Sequence, residues 1–197
     1  MSLQKDTFDK CVCSCMELEG IYNYLKSNHV TTEINALLRS EYVLLVSAFD
    51  CYIHQVVRQK LVDSFFLGTS VCDEALLPFS TAQRACIETD SAIKRDILIP
   101  AIETRLSYDS YQSPKSIEHA LGLIGLRSIW SSLSPGMRMN ADDIKLQLSL
   151  IVKRRNQIAH EADLDPTTGE YRIIENSDVY ICRDFLSRLV IQIDTLI

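Results

Sequence analysis

The sequence predicts an all-α protein, an antiparallel up-and-down bundle of five to seven helices. Apolar residues recur at spacings of three and four over long stretches, which is the period of a helix with one buried face. The 197 residues include only 6 Gly and 5 Pro, so few turn signals interrupt these stretches. Because no internal repeat or linker-like segment divides the chain, we expect residues 1–197 to form a single helical domain.

The first half of the chain predicts two long helices. The first covers Thr7 to Lys26 and ends at a Ser-Asn-His break. The second starts near Thr31 or Thr32 and continues to about Leu67. Its middle, EYVLLVSAFDCYIHQVV, is apolar on nearly all sides, which is typical of a helix at the centre of a bundle.

A polar seam interrupts the second helix at Ser47, Asp50, His54 and Arg58. Spacings of three and four place these side chains on one face. Polar groups on an otherwise buried helix must find polar partners or line a site. For Asp50 and His54 two interpretations stand side by side. They support a functional site on another helix, or they form an internally satisfied pair with structural value alone.

The middle of the chain predicts three shorter helices, at residues 80–88, 90–107 and 114–125. Pro100 is expected to kink or split the second of these, because proline removes a backbone donor inside a helix. The tripeptide Ser134-Pro135-Gly136 predicts a turn that leads into the next helix.

The C-terminal half contains the clearest amphipathic pattern. Asn140 can cap its start, with Asp143 as the capping-box partner. Its apolar stripe consists of Ile144, Leu148, Ile151, Arg155, Ile158 and Ala162. After a turn, Ser177 is predicted to cap a final helix, whose apolar stripe runs from Val179 to Leu196.

Two residues near the end of the Asn140-capped helix point to chemistry. Arg155 falls near the middle of the apolar face, where an unpaired guanidinium is too costly, so it must leave the stripe, pair or face a site. His160 follows five residues later, and histidine is the side chain best suited to moving protons near neutral pH. Lys153 and Arg154 make this the densest basic run of the chain. We take the Arg-x4-His element as the candidate functional centre.

The spacing of Arg155 and His160 does not bring them together on one straight helix. At about 100° and 1.5 Å per residue, they lie roughly 140° apart around the axis and ~7.5 Å apart along it. The helix can end or distort near His160, the arginine can reach around, or two copies of the helix can meet in a homodimer. We favour the homodimer, since a two-fold interface would set Arg155 of one chain opposite His160 of the other.

An arginine and a histidine with no metal-ligand set suit cleavage of RNA through its own 2′-hydroxyl group. Histidine can act as general base or acid. The guanidinium fork of Arg155 matches a phosphate and can stabilise the charge that builds in the transition state. Asn156 can orient the imidazole or the substrate, and Lys153 and Arg154 add local positive charge for RNA phosphates. DNA lacks the internal nucleophile, so the predicted substrate is RNA.

Composition limits the partners and cofactors. The net charge of −6 argues against a broad nucleic-acid groove, but a small site can still grip one or two phosphates. No apolar run reaches the length of a membrane span and no signal-peptide pattern is seen, so we expect no membrane partner and a cytoplasmic location. The seven cysteines are expected to be reduced thiols. No metal or other cofactor is predicted, since Cys11, Cys13 and Cys15 cannot all face one side of a helix.

The motif resembles that of a known superfamily. Arg155-Asn156-x-x-x-His160 is similar to the Arg-polar-x3-His signature of the HEPN superfamily, compact helical bundles of which many are ribonucleases. The run VKRRNQIAHEADLDP, the tail with VIQID and the segment LLVSAFDCYIHQVV resemble the RiboL-PSP branch. Two positions depart from that branch. Asp50 stands where glutamate is commoner, and Ala162 stands where relatives paired with a nucleotidyltransferase antitoxin often carry tyrosine.

This resemblance implies a HEPN-like fold and a homodimer whose paired Arg155 and His160 line a cleft at the interface. It also implies a metal-independent endoribonuclease that leaves a cyclic phosphate. The implied setting is a toxin–antitoxin or anti-phage defence system, with an antitoxin or defence-system protein as partner. Ala162 gives no support to regulation by nucleotide modification of a tyrosine.

Two other functions stay open at this point. A non-catalytic module of the same fold would bind RNA, a nucleotide or a partner protein, and the acidic net charge is compatible with it. Such a module would bind without turnover, and loss of His160 would change binding little. A dimeric helical protein without any nucleotide role would bind no RNA at all.

Overall fold

The fold was analysed in a computed structural model, which describes residues 2–30, 32–67 and 91–197. Within these ranges the chain forms helices and no strand, which confirms the all-α prediction. The seven described helices are α1 Leu3–Ser27, α2 Asn35–Leu67, α3 Ser91–Ser107, α4 Pro114–Leu123, α5 Ile129–Met137, α6 Ala141–His160 and α7 Asn176–Asp194. The helix predicted at residues 80–88 lies outside the described residues. No helix in these ranges combines the length and the apolar content that crossing a membrane requires.

Backbone contacts group the residues into two compact units. Unit 1 comprises Met1–Tyr52, Gln112–Pro114 and Trp130–Ile197, and unit 2 comprises Ile53–Tyr111 and Lys115–Ile129. The whole of α6, with the candidate motif, belongs to unit 1. The assignment of the chain to a single domain stays a prediction.

The last helix, α7, supplies much of the core of unit 1. Seven of its residues are buried, at spacings of three and four: Val179, Cys182, Phe185, Leu186, Leu189, Val190 and Ile193. Each fully buried side chain of this size contributes about 1.5–3 kcal/mol of hydrophobic stabilisation. The predicted stripe is confirmed except at Leu196, which lies beyond the end of the helix and is 38% exposed. A spacing pattern cannot show where the helix stops.

Two predictions of local structure are wrong. The N-cap of α7 is Glu175 rather than Ser177, because the side chain of Asp178 accepts the backbone N–H of Glu175 at 2.8 Å in a reciprocal capping box. The predicted turn at Ser134–Gly136 lies inside α5. Leu133 and Met137, on either side of that tripeptide, are both buried. Packing of these two side chains stabilises a helix that continues through the proline. The chain also remains helical through Pro100 in α3.

A buried carboxylate joins three helices of unit 1. Arg183 of α7 binds Glu19 of α1 at 2.6 Å and Glu41 of α2 at 3.2 Å through the same Nη1 atom. Glu41 is fully buried, and its Oε2 atom has no hydrogen-bond partner among the described residues. Burial raises the pKa of Glu41 from 4.5 to about 7, although the Arg183 charge opposes this shift.

We expect the stability of the protein to depend on pH through Glu41. The folded state binds this proton more tightly than the unfolded chain, so the contribution of Glu41 to stability is full below pH 4.5 and is lost as the pH rises to about 7. Glu41→Gln should flatten that decline, a difference on the order of 1–3 kcal/mol across the interval. Urea unfolding measured from pH 4.5 to 8 provides the test. Glu17→Gln on the exposed side of α1 is the control, and parallel curves for wild type and Glu41→Gln would contradict the assignment.

Candidate functional site

Helix α6, which carries the motif, begins where the sequence predicts. The side chain of Asn140 accepts the backbone N–H of Asp143 at 2.8 Å and caps the helix. The first three apolar residues of the predicted stripe are buried, namely Ile144, Leu148 and Ile151. Ile158 is half-buried, and the prediction is wrong at Ala162, which is exposed because the helix ends before it. The helix continues as far as His160, so the motif occupies its last two turns.

Arg155 lies one turn beyond Ile151 on the inner side of α6 and is half-buried. Its Nη1 atom donates to Oδ1 of Asn156 at 3.1 Å, so the guanidinium turns around the helix toward the exposed face. Its Nε atom is buried and has no acceptor among the described residues. An unsatisfied buried donor costs about 1–3 kcal/mol, and an acceptor brought by a ligand or a second subunit would remove that cost. This hydrogen bond directs the Nη1 end of the guanidinium toward Asn156, and the choice among the three arrangements that the spacing left open stays a prediction.

The exposed face of α6 carries His160 in line with other polar residues. Ser149, Lys153, Asn156 and His160 are separated by four, three and four residues, so they project from one side of the helix. All four side chains are exposed. Lys153 forms no ion pair with any residue that the structure describes, which leaves its ammonium group available to an anion.

A cavity of about 330 Å³ lies beside this face, entirely within unit 1. Helix α6 contributes five residues to its lining, namely Ser149, Val152, Lys153, Asn156 and Gln157. The facing wall is formed by Ser113 and Pro114, and Glu161 completes the lining. We call this space the α6 cavity. It combines two amides, a cation, a carboxylate and two hydroxyl groups with apolar surface, so it offers a ligand both hydrogen-bonding groups and a surface for packing.

Arg154, which the sequence analysis assigned to the substrate, is engaged elsewhere. Both of its terminal nitrogens bind the carboxylate of Asp163, with Nη2 at 3.0 Å, and Nη2 also donates to the carbonyl of Ile173 at 3.1 Å. Asp163 is fully buried and is bound from the other side by Arg39 of α2, whose Nε lies 2.7 Å from Oδ2. Because this ion-pair network occupies the guanidinium of Arg154, we leave Arg154 out of the proposed substrate contacts.

The same network holds the loop that follows the motif. The carbonyl of Gln157 accepts the N–H groups of Glu161 at 3.1 Å and Asp163 at 2.9 Å, which closes the end of α6. The backbone N–H of Arg172 donates to the carbonyl of Asp163 at 2.8 Å. Ala162 and Asp163 have φ angles of 51° and 59°, a left-handed conformation that costs an L-residue about 1–2 kcal/mol. The buried ion pairs therefore stabilise a strained turn immediately after the candidate histidine.

The acidic residues beside His160 already have partners. Glu161 accepts a hydrogen bond from Nη2 of Arg172 at 3.1 Å, and Asp163 lies between its two arginines. Within the described ranges, no group of three or more His, Cys, Asp or Glu side chains is placed to hold a metal ion. We therefore assign Glu161 and Asp163 to the structure of the loop.

The two residues predicted to support the site lie one turn apart on α2, in different compact units. Asp50, in unit 1, accepts a hydrogen bond from Nε2 of Gln112 at 3.1 Å. Gln112 directly precedes the Ser113 wall of the α6 cavity, so Asp50 holds that wall against α2. His54, in unit 2, packs on Tyr111 with 4.4 Å between ring centroids. The supporting role predicted for both residues stays a prediction. For Asp50, the hydrogen bond to Gln112 is the contact through which it would act on the cavity wall.

One known protein family matches most of this chain. The family model described as RiboL-PSP-HEPN matches residues 14–197. The chain belongs to the RiboL-PSP-HEPN family. The resemblance seen in the motif and the second helix is thereby confirmed, and the match also covers the middle of the chain. No curated protein and no solved structure matches the chain.

The buried network of this RiboL-PSP-HEPN chain has no clear signal in the sequence. Asp163 stands out in the sequence only as an acid near His160, and Arg39 precedes it by 124 residues. The one local signal is Arg154, nine residues before Asp163, which is too far apart for a pair on one helical turn. The contact forms because the loop after α6 folds back, and no spacing rule predicts that step.

Proposed function

We propose that this RiboL-PSP-HEPN chain is a metal-independent endoribonuclease that acts as a homodimer. The observation that carries the proposal is the arrangement at the end of α6. His160 and Lys153, which has no ion-pair partner among the described residues, share an exposed face beside the α6 cavity, and Arg155 turns its guanidinium toward that face. Family membership supports the proposal, since many HEPN bundles are ribonucleases.

In the proposed reaction, the 2′-oxygen of the RNA attacks the adjacent phosphorus. His160 removes the 2′-hydroxyl proton or protonates the leaving 5′-oxygen, and one His160 with one Arg155 from the opposite chain makes up a site. As the bond from the 2′-oxygen to phosphorus forms, the bond from phosphorus to the 5′-oxygen breaks. The products are a 2′,3′-cyclic phosphate and a 5′-hydroxyl end. Arg155 stabilises the negative charge that builds on the phosphate oxygens.

The homodimer in this proposal rests on helix geometry. Arg155 and His160 leave α6 roughly 140° apart, and the turn of the guanidinium toward Asn156 closes part of that angle within one chain. A second subunit can close the remainder by presenting its own Arg155 to His160. The buried Nε of Arg155, which lacks an acceptor among the described residues, would find one in the bound phosphate or in the partner.

We propose a toxin–antitoxin or anti-phage defence system in the cytoplasm as the setting, with an antitoxin or defence-system protein as partner. Family membership supports this setting. The charge distribution is compatible with it. A net charge of −6 disfavours non-specific binding along a long RNA, and Lys153 and Arg155 would contact phosphates locally.

The proposal predicts cleavage of single-stranded RNA in the presence of EDTA. The full-length protein should leave 2′,3′-cyclic phosphate ends, which mass spectrometry of the products identifies. A matched RNA with 2′-O-methyl groups at every position should bind and stay intact, because its nucleophile is blocked. Cleavage of the methylated strand or of DNA, or cleavage that requires an added divalent metal, would contradict the proposal.

A non-catalytic HEPN module is the second candidate, and one observation favours it. No hydrogen bond joins the imidazole of His160 to another described residue, so none of the described side chains orients the ring. Such a module would bind RNA, a nucleotide or a partner protein without turnover. RNA binding that yields no product at any protein concentration, and that is unchanged in His160→Ala, would favour this candidate.

A further inference from the structure

The α6 cavity has the size of a site for one small group. Its volume of about 330 Å³ lies at the lower end of the range of roughly 300–1,000 Å³ that is usual for small-molecule sites. A site of this size accommodates a single nucleoside and excludes a duplex. We infer that the α6 cavity binds one ribonucleoside of the RNA strand, next to the phosphate that is cleaved. This inference rests on the proposed function and names the part of the substrate that the protein selects.

The position of the cavity relative to His160 supports this inference. The residues that α6 gives to the cavity lie on the same face as His160, and Asn156 is one turn before it. Gln157 lies three residues before His160, or about 4.5 Å along the helix axis, so a base held at Gln157 lies beside the end of α6 that carries His160. The cavity therefore flanks the candidate reaction centre rather than coinciding with it.

Three polar side chains in the cavity have groups to offer a ligand. The amide of Gln157 and the ammonium of Lys153 form no hydrogen bond or ion pair with other described residues. Asn156 uses its Oδ1 to accept from Arg155, which leaves its amide nitrogen as a donor. An amide that can donate and accept suits the edge of a base, and an ammonium suits a phosphate. The carboxylate of Glu161, which also lines the cavity, is paired with Arg172 rather than with Lys153. The ammonium of Lys153 is therefore left for a phosphate of the ligand.

The walls of the cavity are fixed, which selects for a defined ligand. The carbonyl of Gln157 accepts two backbone N–H groups at the end of α6, so the base of its side chain is held in place. The facing wall is anchored by the hydrogen bond from Gln112 to Asp50. Pro114 and Val152 add apolar surface on which the flat face of a base can pack. A preorganised site of this kind would give the enzyme a base preference at one position beside the cut.

Binding of a fluorescent 2′-O-methyl RNA to the full-length protein tests the inference, since this probe is not cleaved. Gln157→Ala should weaken binding about 3- to 10-fold by removing a base contact. Lys153→Ala should weaken binding and reduce the slope of log affinity against log salt by about one phosphate contact. The matched controls are Gln147→Ala and Lys145→Ala, which lie on α6 outside the cavity. Circular dichroism checks that all four variants are folded.

The outcomes separate this inference from the proposed nuclease. Weaker binding in both cavity variants, with unchanged controls, supports the inference whether or not unmodified RNA is cleaved. If the wild-type protein cleaves RNA and Gln157→Ala has the same affinity and base preference as wild type, the inference is overturned and the nuclease proposal stands. Binding that depends on the α6 cavity, with no cleavage of unmodified RNA, contradicts the nuclease proposal and supports the binding site. Absence of RNA binding overturns the inference.

Discussion

Replacing His160 with alanine is expected to lower the rate of RNA cleavage by about 10²–10⁴-fold, the usual contribution of a general acid or base. The imidazole is exposed at the end of α6 and makes no hydrogen bond to a described residue, so its removal should leave the fold and the subunit association intact. The measurement is the initial rate on a fluorescent RNA, alongside light scattering to follow the oligomeric state.

The matched control is His119→Ala, which removes an exposed histidine from α4. Its cleavage rate should equal that of wild type. If His160→Ala retained more than about a tenth of the wild-type rate, His160 would not be the proton-transfer group and the proposed mechanism would fail.

Mixing two inactive variants tests whether the site is shared between subunits. In a heterodimer of Arg155→Ala and His160→Ala, one of the two Arg155–His160 pairs that face each other across the interface is intact. After subunit exchange, half of the dimers are of this kind, so the mixture should recover roughly a quarter of the wild-type rate. No recovery, with exchange confirmed by mass spectrometry, would exclude the arrangement in which the two residues face each other across the interface.

Replacing Asp163 with alanine is expected to lower the free energy of unfolding by about 3–5 kcal/mol. The carboxylate is fully buried between Arg39 and Arg154, so its loss leaves two guanidinium groups without their anion. Alanine also tolerates the positive φ of 59° less well than aspartate does. Urea unfolding followed by circular dichroism gives the value.

Two variants isolate the cause of that loss. Asp163→Asn keeps the size of the side chain and its tolerance of a left-handed backbone, so its effect reports the loss of the charge and of one hydrogen-bond acceptor. Glu170→Ala removes an exposed acid from the same loop and should change stability by less than about 0.5 kcal/mol. A loss below about 1 kcal/mol in Asp163→Ala would show that the network does not hold the loop behind His160.

Much of the site could be predicted from the sequence because its signals are local. The cap at Asn140 and the buried stripe of α6 follow from side chains spaced within one or two helical turns. The same spacing showed that Arg155 falls on the inner face, where the structure finds a half-buried guanidinium with an unsatisfied Nε. The motif was recognisable for the same reason, since only four residues separate Arg155 from His160.

The partners of the charged residues could not be predicted in this way. Lys153 and Arg154 are neighbours of the same chemical type, yet Lys153 is unpaired within the described chain and faces the α6 cavity, whereas Arg154 is locked to Asp163. Their directions from the helix differ by about 100°, and only the packed loop shows which of the two meets a carboxylate.

By itself, the sequence determined the helical class, the faces of α6 and α7 and the place of the Arg155–His160 motif. Periodicity and capping depend on residues that are close in the chain, so a single sequence is enough to predict them. The tertiary structure alone decided the burial of Asp163, the wall that Asp50 holds through Gln112 and the existence of the α6 cavity. Those features join residues as far apart as 124 positions, and the free energy of such contacts depends on the folded path of the chain between them.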